Sequence, residues 1–177
     1  MFYKDSNGNR YRLGTPFYYN NTHYTKAGAS HNTFMSLGFT QVVVAPRPDR
    51  RFYSVTGPDN NGQYTSTPHD LAELKTNFIK QEKLNSFRLL KQTDWYVLRN
   101  IDGAGAVPTA IATYRSAIRT AAETRCNQIN ACTTVAELEE KLNEPEQIYD
   151  EGTAAMVVNP DRMEPWPTID DDVYHLY

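Results

Sequence analysis

The feature that most constrains this chain is a break between two helical patterns, Leu89-Leu90-Lys91-Gln92-Thr93-Asp94-Trp95-Tyr96-Val97-Leu98-Arg99, at the centre of residues 86–119. Upstream of it, Leu84, Phe87 and Leu90 recur at helical spacing. At the break, Thr93 or Asp94 can cap a new turn by accepting from backbone N–H groups that a helix start leaves without partners. Trp95 and Leu98 then fall three apart, on one face of the new helix. Beyond the Gly-rich link 102–108, Ile111, Tyr114, Ile118, Ala121 or Ala122, Arg125 and Ile129 carry the next helical stripe. Two helices that must each bury a stripe, joined by a hinge that holds a Trp, make a helical hairpin or small bundle.

The helix that ends near Lys91 opens at Thr67-Pro68-His69-Asp70. Thr67 reads as the cap, Pro68 as the first helical residue, and Asp70 as a charge that complements the helix dipole. Its apolar stripe is Leu71, Leu74, Phe78 and Ile79, continuing to Leu84 and Phe87, while Glu73, Lys75, Lys80, Glu82 and Lys83 read as a solvated charged face. A second long helix spans 109–131, with no internal Gly or Pro. Thr134-Val135-Ala136-Glu137 is a capping-box pattern and opens a last helix with Val135, Leu138 and Leu142 on one side. Pro145 ends regular structure, and 145–177 reads as an extended arm with four prolines.

Ahead of the helices lies an aromatic β region, with 12 of the chain's 21 aromatic residues in positions 1–68. Asn7-Gly8 and Asn20-Asn21 supply the positive φ angles of two tight hairpins, whose strands are rich in Tyr, Phe and Thr. Residues 30–37 read as a short helix closed by Gly38, with Phe34 and Leu37 inward. Residues 41–45 read as a buried β-branched strand stopped by Pro46 and Pro48, and 51–56 with 63–66 as a third hairpin. The expectation is an α+β chain: an antiparallel β unit over 1–68, a helical module over 69–143, and an extended acidic arm over 144–177.

Charge is unevenly spread. Residues 1–68 carry seven Lys or Arg against three Asp or Glu, 69–142 carry ten against nine, and 143–177 carry one against nine. With a pI near 5.8, the chain lacks the strong basic face of a nucleic-acid binder. The acidic end is expected on a basic surface, either the chain's own N-terminal part or a partner's. No apolar run approaches the roughly 20 residues needed to span a bilayer, no secretory leader is read at the first residues, and no membrane partner is expected. Cys126 and Cys132, six apart on one helix, are too far separated along it to bridge, which suits a reducing compartment.

The residues offer no catalytic constellation. His23, His31, His69 and His175 lack metal-ligand spacing, so no metal or cofactor is expected. Asp170-Asp171-Asp172 reads as a solvated acidic run rather than a cation site. Cys126 has no His beside it to activate a thiolate, Glu139 and Glu140 project to different sides of their helix, and Gly103-Ala104-Gly105 lacks the rest of a phosphate-cradling loop. A polysaccharide hydrolase would need two convergent carboxylates, and no supporting pair is visible. Two readings remain open for Trp95, a core anchor or an interaction hot spot. Arg99, Arg115 and Arg119 are either partner-facing cations or paired internally with Asp94 or Glu123. Trp166, Tyr174 and Tyr177, in a Pro-stiffened acidic setting, read as anchors of an arm that orders on a neighbour.

Taken in order, Arg88-Leu89-Leu90, Thr93-Asp94-Trp95, Arg99, Pro108, Tyr114-Arg115 and Arg119 resemble the C-terminal region of bacteriophage tail-fibre assembly proteins and related tail assembly chaperones. The resemblance covers about 50 residues well. Arg47-Pro48-Asp49-Arg50-Arg51-Phe52-Tyr53 followed by a hairpin extends it loosely toward the N-terminus. It implies a non-enzymatic protein made in the host cytoplasm that binds fibre or baseplate subunits, or copies of itself, at the phage tail. The Tyr-rich β unit and the Pro-Trp-Pro arm fit a protein retained in the virion, and a transient fibre chaperone is the alternative.

Overall fold

The computed structural model describes residues 2–169, so Tyr174, Tyr177, His175 and the Asp170–Asp172 run lie outside the described residues. The chain is α+β, with five helices and four small antiparallel sheets among the described residues. It divides into two compact units between Pro68 and His69.

In the first unit, β1 (Phe2–Lys4) pairs with β2 (Arg10–Tyr11) on one side and β5 (Thr40–Val42) on the other. β3 (Phe17–Tyr19) and β4 (Thr22–Tyr24) form a separate hairpin, turned by Asn20 and Asn21 at φ 47° and 60°. Asn tolerates that left-handed backbone because its side chain can bond locally. Asp5 organises the first turn. Its carboxylate accepts from the backbone N–H of Asn7 and Asn9 and from Asn9 Nδ2, each at 2.9 Å, and from the Tyr11 hydroxyl at 3.1 Å. Burial works to raise the Asp5 pKa, but the hydrogen bonds from Asn9, Tyr11 and Asn7 outweigh it and hold the group below the ordinary 3.8.

Helix α1 (His31–Ser36) is capped by Ser30, whose hydroxyl accepts from Thr33 N, and the chain turns away at Gly38, φ 76°. This short helix lays Phe34 into the sheet region, where it stacks on Tyr3 at 4.5 Å between ring centroids. Tyr3, Phe17, Ala29, Phe34 and Phe39 form the buried centre, with Tyr11, Tyr19, Tyr24 and Leu37 packed around it. The aromatic excess of the first 68 residues thus becomes a core in which large rings do the work usually left to aliphatic side chains.

The β-branched run is shorter as a strand than its composition suggests: β5 stops at Val42, and Val43 faces outward. The third hairpin pairs β6 (Tyr53–Thr56) with β7 (Thr65–Pro68), Tyr53 opposite Pro68 and Ser54 opposite Thr67. The expected cap at Thr67 and helical start at Pro68 are therefore corrected, since both residues belong to the strand. The cap is Asp70, whose Oδ1 accepts from Glu73 N at 2.8 Å.

The second unit is built on α2 (Leu71–Lys91), α3 (Asp94–Ile101), α4 (Thr109–Ala131) and α5 (Val135–Asn143). α2 and α4 run antiparallel, because Lys75 reaches the Asn130 carbonyl, Glu82 meets Arg125, and Leu90 meets Arg115. Leu74, Tyr96, Ile111, Tyr114, Ile118, Ala121, Ile129, Val135 and Leu138 are the buried apolar residues of this unit's helices. α5 is capped by Thr134, which accepts from Glu137 N. The Glu137 carboxylate returns to the N–H and hydroxyl of Thr133, one residue ahead of the cap. Those bonds hold its carboxyl below the ordinary range.

The C-terminal segment holds a hairpin that the expectation of an extended arm did not contain. β8 (Gln147–Asp150) pairs with β9 (Ala155–Val158), and Asp150 ties the turn by accepting from Gly152 N and the Thr153 hydroxyl. From Asn159 the chain returns to the helices. Arg162 pairs with Glu146 at 2.9 Å, and Glu164 N donates to Gln128 Oε1 on α4 at 2.9 Å.

Candidate functional site

The break between α2 and α3 is held from outside. Arg115 of α4 sends Nη1 to the Leu90 carbonyl and to Thr93 Oγ1, each at 2.8 Å, and the same nitrogen lies 2.9 Å from Asp94 Oδ1. The Thr93 hydroxyl donates to Leu90 O at 3.1 Å, and α3 has no side-chain cap. The expected capping by Thr93 or Asp94 is thus corrected: both side chains turn to the arginine rather than to the backbone N–H groups of their own helix. Arg115 is 9% exposed. Its place as a partner-binding residue is corrected as well, because its guanidinium is engaged inside the unit, on Thr93, on Asp94 and as a further donor to a Leu90 carbonyl that already accepts from the Thr93 N–H and hydroxyl.

With the break fixed, α3 buries one aromatic and presents the other. Tyr96 is 4% exposed and fills the inward position, while Trp95 is 49% exposed, Leu98 60% and Ile101 73%. Of the two readings open for Trp95, the buried core anchor is not what the structure shows. Arg99 lies over the indole, 5.5 Å from guanidinium to ring, and its Nε donates to the Ala104 carbonyl at 2.9 Å. Gly105 lies beside that guanidinium at φ +138°, where a Cβ would sit 2.8 Å from Arg99 Nη2 and the arginine would have to shift. Arg119 is exposed on α4.

The exposed apolar residues extend beyond α3. Gln92 (φ −61°, ψ −25°) stays helical, whereas Thr93 (φ −115°, ψ 7°) leaves the helical region, so the count restarts at α3. Leu84, Phe87 and Lys91, three and four residues apart, share a stripe of α2, and Trp95, Leu98 and Ile101, three apart, share one of α3. Phe87 is 58% exposed, and Lys80, Lys83, Arg88 and Lys91 are exposed on α2. The two carboxylates between residues 80 and 99 are both engaged in ion pairs, Asp94 with Arg115 and Glu82 with Arg125. What these helices offer outward here is apolar and cationic.

Glu82 and Arg125 were not legible as a site. Arg125 Nε and Nη2 reach the buried Glu82 carboxylate at 2.6 and 3.2 Å, a forked pair. The signal was present in the spacing, since Glu82 and Ser86 continue the four-residue step of Leu74 and Phe78 on the buried side of α2. Arg125 also donates to the Glu164 carbonyl, and its guanidinium lies 5.2 Å from the Trp166 ring. Trp166 lines a cleft with Asn85, Arg88 and Leu89 of α2. The structure thus sets Trp166, expected to anchor on a partner, against the chain's own helices.

Elsewhere the polar groups serve structure. His31 Nδ1 meets the Tyr3 hydroxyl at 2.6 Å, and His23 packs on the Tyr18 ring. Burial pushes the thiols of Cys126 and Cys132 above their ordinary value of 9.0, and both are free. A cleft of about 340 Å³ beside α5 is lined by Glu137, Glu140, Glu144 and Asp161, with Lys141 among them. No cluster of three or more His, Cys, Asp or Glu among the described residues could hold a metal ion. No helix among them is long and apolar enough to cross a membrane. The apolar β8–β9 hairpin is a second exposed feature, with Tyr149, Met156 and Val158 facing outward. Searches of protein-family models, of curated proteins and of solved structures find no match to this chain.

Proposed function

We propose that this chain works by protein–protein binding as a non-enzymatic component of a bacteriophage tail, associated with fibre or baseplate subunits and retained in the virion. The observation that carries the binding part of the reading is the set of exposed apolar residues on consecutive helices, Phe87 on α2 and Trp95, Leu98 and Ile101 on α3, with Lys80, Lys83, Arg88 and Lys91 exposed on α2. Large apolar and aromatic side chains left in water among exposed cations match the composition of a partner interface. The phage part rests on the resemblance of Arg88-Leu89-Leu90, Thr93-Asp94-Trp95, Arg99 and Tyr114-Arg115 to tail-fibre assembly proteins.

In this reading Arg115 is a positioning residue. It fixes the break so that Tyr96 turns in and Trp95 turns out. Trp95, Leu98 and Arg99 are the contact residues, and the β8–β9 hairpin gives a second place for a neighbour to add. Mass spectrometry of purified virions tests the assignment. Peptides of this chain at a stoichiometry matching a tail subunit support it. Their absence from particles, with fibres failing to form when the chain is removed, transfers the role to a transient assembly chaperone.

A further inference from the structure

The segment that returns from the β8–β9 hairpin to the helices is held as a bound peptide is held. We propose that the surface of α2, α4 and α5 is a recognition groove for residues 161–167, Asp-Arg-Met-Glu-Pro-Trp-Pro, and that copies of this chain link by exchanging that segment. The inference is independent of the reading of α2 and α3 as a docking face for tail subunits.

Most of the grip is on the main chain. Gln128 of α4 uses both ends of its amide: Nε2 donates to the Arg162 carbonyl at 3.4 Å, and Oε1 accepts from Glu164 N at 2.9 Å. Arg125 donates to the Glu164 carbonyl, and Lys141 of α5 donates to the Asp161 carbonyl. An amide that spans residues two apart reads an extended backbone, whose alternate polar groups face the same side. Main-chain bonds of this kind give affinity, and a side-chain pocket gives specificity. The pocket here takes Trp166, whose ring lies 5.2 Å from the Arg125 guanidinium in a cleft with Asn85, Arg88 and Leu89. Pro165 and Pro167 hold the backbone around it extended before binding, so less order is lost in the bound state. The ligand class is therefore an extended segment that carries a tryptophan between two prolines.

A second copy as occupant follows from how this part of the chain is tied. Residues 144–162 bond among themselves: Arg162 pairs with Glu146 at 2.9 Å, and Asn159 Nδ2 donates to the Pro145 carbonyl at 3.1 Å and to the Glu144 carboxylate. The bonds to the helices are a separate set, made by Asp161, Arg162, Glu164 and Trp166. The hairpin and segment join the helices at one place, where α5 ends at Asn143 and Glu144 turns to extended backbone, φ −53° and ψ 127°. Rotation there carries residues 145–167 as a body and lets them make the same contacts on another copy, a low-cost route to association by exchange of identical elements. The fit within one chain is also loose, since clefts of about 320 and 450 Å³ flank Pro165 and Trp166.

Two full-length variants test this. Trp166→Ala spoils the segment and leaves the groove, whereas Gln128→Met spoils the groove at near-constant shape and leaves the segment. Both positions are half-buried, and helical circular dichroism should match the parent chain's; Trp166→Leu, which fills more of the cleft, serves if the alanine variant does not. Fluorescence anisotropy with a labelled synthetic peptide of residues 160–169 should show saturable binding to the Trp166→Ala chain. The parent should bind it at least tenfold more weakly, because its own tethered segment competes at millimolar effective concentration. Adding Gln128→Met to Trp166→Ala should weaken peptide binding several-fold. Sedimentation equilibrium of an equimolar mixture of the two single variants should show a heterodimer that neither variant matches alone. Absence of peptide binding by the Trp166→Ala chain, or binding indifferent to Gln128→Met, would overturn the groove. A mixture that associates no more than its components would overturn the exchange.

Discussion

Arg115 Nη1 donates to Thr93 Oγ1 at 2.8 Å, a buried hydrogen bond between residues 22 apart that fixes where α2 gives way to α3. Thr93 has no measurable exposure and Arg115 is almost as enclosed, so the bond sits in a region where an unmet polar group is costly. The face that α3 presents depends on it.

Replacing Arg115 should therefore destabilise the helical unit far more than a surface arginine would. Arg115→Met takes the donor from the Thr93 hydroxyl and breaks the ion pair with Asp94, and should cost about 2–4 kcal/mol. Thr93→Val, which removes only one partner, should cost about 1–2 kcal/mol. Chemical denaturation followed by helical circular dichroism measures both.

Trp95 should behave in the opposite way. Half of its surface is already in water, so Trp95→Ala should lower stability by about 1 kcal/mol or less, well under the 3–5 kcal/mol typical of a buried ring. Its incorporation into particles should fall sharply. Tyr96→Ala, one residue on, should show the buried-ring cost, and thermal melts of the two variants make the comparison.

Arg125 holds the returning C-terminal segment. Arg125→Met removes the partner of a buried carboxylate and should cost about 3–5 kcal/mol, whereas the double change with Glu82→Met should be milder because no uncompensated charge remains. Both variants lose the contacts to Trp166 and to the Glu164 carbonyl. Limited proteolysis should therefore cut within residues 160–169 faster in both than in the parent chain.

Acid should weaken the first unit through Asp5. Its carboxyl lies below the ordinary 3.8 when folded, so its stabilising contribution is fully present above that value and is lost as pH falls through the lower, folded value. Asp5→Asn removes this titration, and the acid slope of unit stability below about pH 4 should shrink. Urea midpoints read from the amide signals of Asn7 and Tyr11 across that range provide the check.

Much of the architecture was legible because it is periodic. The long helices follow from apolar stripes without internal Gly or Pro, and the first hairpins from Asn-rich turns between aromatic pairs. The start of α2 was less so. Thr67 and Asp70 are both competent caps, and the choice is made by pairing with Tyr53–Thr56, a non-local event that local preference does not encode. At the break, Trp95 and Tyr96 are neighbours pointing about 100° apart, and their own spacing does not say which faces α4. Arg115 decides it, from 20 residues downstream of Trp95. The β8–β9 hairpin was hidden by its surroundings, since Pro145 and the acidic residues outweigh four-residue strands.

If the exposed apolar residues of α2 and α3 are where a tail subunit binds, a photo-reactive residue at Leu98 must report it. Irradiation of assembling particles should give an adduct with a fibre or baseplate protein from Leu98 but not from Lys26 in the first unit. Binding through these residues is contradicted if Leu98 yields no adduct with a tail protein in particles that contain the chain.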